Sequence, residues 1–477
     1  MSTLLWTLDP SGPEPTPFGS PLAFKKLAAY IPDTDKHRMS ASYHRVAATN
    51  IYRCADGKWF HLHGSANPDP TLDSIGLPHD MDAASVEDSW IPFKEKISKL
   101  DSAELQSLAT DKYRQAGVIC NSVDEYFASE HGKANENVGL FEIYSVPGSR
   151  ISQLPCWWPE TPHTSAKRPL AGLKVVDLTR VIAAPAVTRG LAELGASVMR
   201  VASPNLTDFS SLHLDLNWGK WNTNLDLKEA ADRAKLKELI LDADVVVQGY
   251  RPGVLDKYGF GQDEIVELCK GRNRGIISVR ENCYGWHGPW QDRSGWQQIS
   301  DACVGISVGY GKAMGLEEGE PVTPVFPNSD YMTGVAGVVG ILCALMRRAD
   351  RGGSYKVDLA LNYYNQWLAR SVGTYPEAVW EEPWKRNGRV VFRAEHNMGY
   401  TIPRVMGMLK QNSGKAVFNP AFFEDRKSGA IGVDVMTVKP VIRFQDGEVE
   451  LGYNVGTRGN GVDQARWPED LMTEIVR

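Results

Sequence analysis

The sequence has few of the features that would mark several broad classes of protein. It has no basic run or basic stripe, and its net charge of −6 disfavours nucleic acid as a main partner. Its seven cysteines are odd in number and scattered, and none forms a CxxC pair. We therefore expect free thiols in a reducing compartment, with neither a disulfide framework nor a bound metal.

Long apolar runs and targeting signals are also missing. The longest uncharged apolar run, residues 334–346, is shorter than the roughly 20 residues that a membrane-spanning helix needs. The first residues do not combine a charged start with an apolar core, and the last four, EIVR, are not a peroxisomal signal. We expect a cytoplasmic protein that has no membrane partner.

The 477 residues suffice for two or three domains, and changes in composition predict their borders. Residues 1–40 contain DPSGPEPTPFGSP and are expected to be an irregular arm. Residues 41–145 are predicted to form a small α+β domain, in which an Asp-Gly turn between two alternating runs indicates a β-hairpin. A proline-rich linker at 146–169 then leads to a large domain at 170–477.

His61 and His63 lie on one face of the second strand of this hairpin, because they alternate with Phe60 and Leu62. Such a pair could bind a metal ion, but no third ligand lies nearby in the sequence. A solvated strand face is the better interpretation.

From Leu170 onward the pattern alternates between strands and helices. The stretches LKVVDLT, SVMRVA, DVVVQGY and RGIISVR are separated by amphipathic helical segments. Such repeats predict an α/β fold with a doubly wound, mostly parallel, Rossmann-like sheet, whose ligands bind beyond the carboxyl ends of the strands. TRVIAAPA follows the first strand in place of GxGxxG, so an ordinary NAD site is disfavoured.

Several cations lie near the predicted strand ends. They are Arg200, Lys220, Arg251, Lys257 and Arg293. Clustered at one edge of the sheet, they could bind phosphates, whereas each taken singly is more often a solvated side chain.

Asp330 begins one of the most apolar helical stretches, NSDYMTGVAGVVGILCALMRR. A helix that is apolar all round is predicted to be buried. Gly334, Gly337 and Gly340 each weaken the helix by about 1 kcal/mol, which suggests that a neighbour packs very close to it. The acid is either an ordinary helix cap or a catalytic group.

Five segments in this order resemble the class III CoA-transferase (CaiB/BaiF) family. They are PLAGLKVVDLTRVIAAPAVTRGLAELGASVMRV, LNWGKWNTNLDLK, DADVVVQGYRPGVLDKYGFG, NSDYMTG and GGSYKVDLAL. The resemblance covers residues 168–365 densely, and VKPVIRFQDG is similar to the closing segment of that family.

The resemblance implies an enzyme that moves CoA from an acyl-CoA to a carboxylic acid, with Asp330 as the nucleophile. The helix N-terminus would help to keep this carboxylate charged. A coenzyme A thioester would be the substrate, no cofactor would be bound permanently, and the protein would be a homodimer. The CoA site would comprise Ile182, Ala183, Leu225, Asp226, Lys228, Gly249, Tyr250, Arg251, Lys257, Arg293 and Trp296.

Two alternatives to transfer remain open, and departures from the family pattern disfavour the first and favour the second. A 2-methylacyl-CoA racemase would need a histidine–aspartate pair to exchange a proton, and Trp296–Gln297 stands in its place. A non-catalytic binder of CoA thioesters is the other alternative, because Ala202 replaces a family glutamate and no glycine-rich flap is evident. The small domain also precedes the large one, where the family inserts it after the position of Asn365.

Overall fold

The N-terminal segment has more regular structure than the sequence predicts. The computed structural model describes residues 4–317 and 319–477. The segment contains strands β1 (Thr7–Leu8) and β2 (Thr16–Pro17) and helix α1 (Ala23–Tyr30). β1 pairs with β2 on one side and with a strand near the C-terminus on the other, so the prediction of an irregular arm is wrong.

The next segment builds a three-stranded antiparallel sheet with helices around it. Its elements are α2 (Tyr43–Ala47), β3 (Asn50–Arg53), β4 (Trp59–Leu62), α3 (Asp69–Ile75), α4 (Val86–Ile97), α5 (Ser102–Gln106), β5 (Gly117–Ile119), α6 (Val123–Ala128) and α7 (Glu130–Asn135). The predicted hairpin is confirmed, since β3 and β4 pair around the Asp-Gly turn and β5 adds to β4.

The remaining residues carry the large sheet and the C-terminal elements. In chain order they are β6 (Glu142–Ser145), β7 (Lys174–Leu178), α8 (Ala183–Glu193), β8 (Ser197–Ala202), α9 (Ser210–Leu216), β9 (Lys220–Asn224), α10 (Ala230–Asp242), β10 (Val245–Gln248), α11 (Gln262–Leu268), β11 (Ile277–Asn282), α12 (Gln297–Val304), α13 (Ile306–Ala313), α14 (Asn328–Arg351), β12 (Tyr355–Ala360), α15 (Leu361–Trp367), α16 (Glu377–Arg386), α17 (Met398–Val417), β13 (Phe423–Arg426) and β14 (Val435–Val438).

The predicted doubly wound sheet is confirmed. Its seven strands run in the order β6-β12-β11-β10-β7-β8-β9, and every pair is parallel except β12 with β6. Val175 packs on one face with α8 and α14, and Val176 packs on the other with α10 and α11. From β7 the following strands β8 and β9 lie on one side of the sheet, whereas β10 to β12 lie on the other. A ligand-binding crevice is expected between β7 and β10, where the strand order reverses.

Strand β6 corrects one predicted domain border. Residues 142–145 were expected in the small domain, but they form the edge strand of the large sheet. Their partner is β12, more than 200 residues further along the chain. Such a distant pairing leaves no signal in the local pattern of residues.

Helices α8 and α14 approach each other closely, as the glycine spacing predicts. A Cβ atom added at Gly334 would lie 2.6 Å from Ala186 Cβ, and one at Gly337 would lie 2.6 Å from Val187 Cγ2. α14 is also the one described helix with the length and composition to cross a membrane. Half of its most apolar window is buried in the protein, as expected for a core helix.

We predict that Gly334→Ala destabilises the fold by about 1–3 kcal/mol, because the added methyl group would push the two helices apart. Denaturant unfolding would measure the change. Gly407→Ala in α17 is the matched control, since no heavy atom lies within 4 Å of its added Cβ. That control should be neutral or stabilising by up to ~1 kcal/mol, and equal effects of the two substitutions would contradict the packing argument.

Candidate active site

Asp330 lies in the first turn of α14 and is 8% exposed. The residue that precedes the helix is Pro327, which has no side chain that could act as a cap. Within residues 4–317 and 319–477, no hydrogen bond to the Asp330 carboxyl group is present. Asp330 is therefore buried without the bonds that a capping aspartate would make.

The electrostatic surroundings of Asp330 differ from the sequence-based expectation. Burial and the nearby carboxyl groups of Glu281 and Asp301 raise the pKa of Asp330 well above its usual range. Desolvation and repulsion from these two carboxyl groups therefore oppose the charged form of Asp330, which the helix N-terminus was expected to favour.

Sequence reasoning missed both neighbouring acids. Glu281, near the end of β11, has no side-chain hydrogen bond in the described part of the chain, and burial raises its pKa to about 8. Asp301, in α12, accepts hydrogen bonds from Ser329 Oγ at 3.2 Å and Asn365 Nδ2 at 2.8 Å. Burial raises the pKa of Asp301 to about 7.

A cavity of about 430 Å³ opens where β7, β10 and β11 end, and we call it the cationic cavity. It brings together eight of the residues predicted from sequence. They are Ile182, Ala183, Gly249, Tyr250, Arg251, Arg293, Trp296 and Asp330. Their convergence follows from the parallel sheet, which places the carboxyl ends of its strands at one edge.

Three arginines line the cationic cavity. Arg251 donates to the Arg114 carbonyl at 3.0 Å, and Arg293 lies 3.3 Å from the Asp111 carboxylate. Arg180 was not predicted, although it lies two residues after the end of β7, and it donates to the Thr207 carbonyl at 2.7 Å. Burial and the nearby charges of Arg180 and Arg114 lower the pKa of Arg251. Clustered cations of this kind suit phosphate groups.

The backbone between Arg180 and Ile182 is strained. Val181 has a φ of 73°, a left-handed conformation that a β-branched residue rarely adopts. Such a conformation costs about 1–3 kcal/mol and is concentrated at functional sites. Val181 lines both the cationic cavity and the second cavity described below.

Four predicted residues lie outside both cavities. Leu225 is buried in the core, and Asp226 accepts a hydrogen bond from Asn205 Nδ2 at 2.7 Å. Lys228 and Lys257 are exposed to solvent. These four residues therefore do not belong to the pocket around Asp330.

Two further cations do not form a phosphate site either. Arg200 is paired with Asp208 at 2.6 Å, and Lys220 is paired with Asp177 at 2.9 Å. All four side chains are at least nine-tenths buried, so they stabilise the interior beneath the sheet edge.

A second cavity, of about 320 Å³, lies on the other side of Asp330, and we call it the histidine cavity. His61 and His63 line it and are 1% and 7% exposed, so the prediction of a solvated strand face is wrong. The face is buried because the small domain packs against α12, where Gln298 Oε1 lies 3.2 Å from His63 Nε2. No group of three metal-binding side chains was found among the described residues.

Trp296 forms part of the wall between the two cavities. Its ring stacks on that of His63 with centroids 5.6 Å apart, and its Nε1 donates to Ser65 Oγ at 3.0 Å. Trp296, Ile182 and Asp330 line both cavities. Asp330 is thus accessible from a cationic side and from a largely uncharged side.

We predict that Glu281→Gln stabilises the protein increasingly as the pH rises. Below about pH 4.5 the carboxyl group is protonated in both folded and unfolded protein, but between 4.5 and 8 only the folded state retains the proton. Folding with glutamate therefore becomes less favourable over this range, and glutamine removes that penalty.

Denaturant unfolding at about pH 5 and pH 8 should show the advantage of glutamine growing by about 1–3 kcal/mol. Glu238→Gln, at an exposed position of α10, is the control and should show the same effect at both pH values. An advantage of Glu281→Gln that does not change with pH would contradict the assigned burial of the acid.

Comparisons with known proteins identify the family. Residues 170–398 match the family model of CoA-transferase family III. The chain is 54% identical over 483 positions to the acetyl-coenzyme A transferase nodX of Hypoxylon pulicicidum, covering 100% of this chain and 80% of that protein. It is 34% identical over 431 positions to an acyl-CoA transferase of Gibberella moniliformis, covering 89% of this chain and 74% of the relative.

A solved structure of a CaiB/BaiF family protein from Brucella suis aligns with 61% of this chain and 95% of its own, at 20% identity and a TM-score of 0.43. The assignment depends on the two long alignments above and not on this structural likeness. The chain therefore belongs to CoA-transferase family III and is an enzyme of that family.

Proposed function

We propose that this enzyme moves CoA from an acyl-CoA to a carboxylic acid through covalent intermediates on Asp330. The observation that carries the proposal is the position of Asp330, whose carboxyl group has no hydrogen-bond partner in the described chain and lines both cavities. A nucleophile that must contact a CoA thioester and an acid in turn needs such access from two sides.

The reaction follows from the chemistry of a carboxylate. An Asp330 oxygen attacks the thioester carbonyl, the carbon–sulfur bond breaks, and a mixed anhydride and CoA thiolate result. The thiolate then attacks the Asp330 acyl carbon, which releases the first acid and leaves an aspartyl-CoA thioester. The acceptor carboxylate attacks that thioester, the carbon–sulfur bond breaks, and a second mixed anhydride and CoA thiolate result. The thiolate then attacks the acceptor carbonyl of this anhydride, which forms the new acyl-CoA and releases the Asp330 carboxylate.

We propose that protonated Glu281 favours the ionised form of Asp330 near neutral pH. With a pKa of about 8, Glu281 holds a proton at pH 7, and a neutral neighbour no longer repels the charge on Asp330. The protonated Glu281 also supplies an O–H donor within the cationic cavity, where a thioester oxygen or a thiolate develops negative charge.

The cationic cavity is proposed to hold the phosphate end and pantetheine arm of CoA. Arg180, Arg251 and Arg293 supply the positive charge. The names of the two long relatives, an acetyl-coenzyme A transferase and an acyl-CoA transferase, support an acyl-CoA as the donor.

Those names also favour transfer over the other two interpretations, racemisation and binding without turnover. Trp296 stacks on His63 and donates to Ser65, so its position serves as a wall and supplies no proton-exchanging group. We further propose a homodimer in the cytoplasm, as the family resemblance and the sequence imply.

We predict that Asp330→Asn lowers CoA transfer by roughly 1,000-fold or more, because an amide cannot form the anhydride. Wild-type enzyme incubated with an acyl-CoA should gain the mass of an acyl or CoA adduct, and hydroxylamine should convert it to the aspartyl hydroxamate. Asp350→Asn removes an exposed acid at the far end of the same helix and should retain activity. Undiminished transfer by Asp330→Asn would remove the proposal.

We predict that Arg251→Gln weakens CoA binding by about 10-fold, through the loss of one charge-assisted contact to phosphate. Isothermal titration calorimetry with CoA would measure the change. Lys257→Gln is the matched control, because Lys257 was also predicted to bind CoA but lines neither cavity. A larger loss with Lys257→Gln than with Arg251→Gln would place the phosphates elsewhere on the surface.

A further inference from the structure

We propose that the histidine cavity receives the acyl group and selects apolar acids with a single carboxylate over dicarboxylic acids. The inference rests on the proposed transfer reaction, because it names the class of acid that reacts with Asp330. Nonetheless, the selection can be measured by binding alone, without turnover.

The lining of the histidine cavity is largely apolar. Nine of its side chains contribute hydrocarbon, aromatic or thioether surface, and they are Met39, Val46, Ala66, Val181, Ile182, Phe209, Trp296, Pro327 and Met398. A cavity with this lining gains free energy by removing the hydrocarbon part of an acyl chain from water.

Arg45 is the only cation among the described residues that line this cavity, apart from the titratable histidines, and it is already neutralised. Its Nη1 lies 2.8 Å from the Asp69 carboxylate, and its side chain is 8% exposed. All three of its nitrogens also donate to backbone carbonyls at 2.7–2.9 Å, those of His37, Arg38 and His79. Arg45 therefore holds the 37–45 segment in place and has no free charge for a substrate carboxylate.

The two histidines supply no positive charge near neutral pH. Burial lowers the pKa of His61 to about 4 and that of His63 to about 3. Nδ1 of His63 accepts a hydrogen bond from the Ser65 amide at 2.9 Å, which also requires an unprotonated nitrogen. Both rings therefore present neutral surfaces to the acyl group.

The free positive charges therefore lie in the cationic cavity and are missing from the described lining of the histidine cavity. Arg180, Arg251 and Arg293 line the cationic cavity and not the histidine cavity, whereas Asp330 lines both. A second carboxylate on the acyl chain would lose its water in the histidine cavity and find no free cation there. An unpaired buried charge costs several kcal/mol, which corresponds to a preference of roughly 100-fold or more against such a substrate.

Met398 offers a position at which a single substitution should weaken this selection. It lines the histidine cavity at the start of α17, and its sulfur accepts a hydrogen bond from Gln298 Nε2 at 3.0 Å. A lysine has nearly the length of methionine and would bring an ammonium group to the wall. Met398→Gln is the matched control of similar length without charge.

The experiment compares pentanoyl-CoA with glutaryl-CoA, which have five acyl carbons each and differ in a terminal carboxylate. Transfer to acetate by the wild type gives kcat/KM, and calorimetry with the Asp330→Asn variant gives the dissociation constants without turnover. We expect pentanoyl-CoA to be preferred by about 100-fold or more in kcat/KM and to bind more tightly. Met398→Lys should narrow this preference by about 10-fold or more, and Met398→Gln should not.

The outcomes separate the inference from the proposed function. Equal binding and equal transfer of the two thioesters, or a preference for glutaryl-CoA, would overturn the inference while leaving the transfer reaction intact. If neither thioester is a donor but pentanoyl-CoA still binds more tightly, the proposed transfer reaction is contradicted and the proposed selectivity of the pocket is supported. An unchanged preference in Met398→Lys would show that this wall does not contact the acyl chain, and would also overturn the assignment.

Discussion

The close contact between α8 and α14 determines where the Asp330 carboxyl group lies. Gly334 packs against Ala186 and against the carbonyl of Ala183, so the first turns of both helices are side by side. One of these turns carries Ile182 and Ala183, and the other carries Asp330. A side chain on Gly334 would separate them, and the wall shared by the two cavities would open. The glycines that weaken the helix therefore position its functional end.

The region around Asp330 contains several features that destabilise the folded state. Asp330, Glu281 and Asp301 are three carboxyl groups within one buried neighbourhood, and their pKa values are all raised. Val181 adds a strained backbone at the edge of both cavities. Sites that perform chemistry commonly retain such unfavourable features, while the rest of the fold supplies the stability. Here the apolar cores on both faces of the sheet have that role.

The sequence predicted much of the large domain and part of the site, for a clear physical reason. Alternating strands and helices identify a parallel sheet, and its geometry alone brings Gly249, Arg251 and Arg293 to the edge where Asp330 lies. Residues whose surroundings come from distant parts of the chain were not predicted. Glu281 looks like an ordinary strand residue in the sequence, and only the folded structure shows that it lines the cationic cavity near Asp330.

The walls of the histidine cavity come from three separate parts of the chain, which are residues 39–66, residues 181–330 and residues 397–399. Asp330 belongs to the middle part, and the three arginines of the cationic cavity lie within or directly before that part. Substitutions in the first and last of these parts can therefore alter the shape of the cavity without changing Asp330, the proposed nucleophile. Under the proposed mechanism, gene duplicates of such an enzyme can diverge in the acids they use while they inherit one unaltered nucleophile.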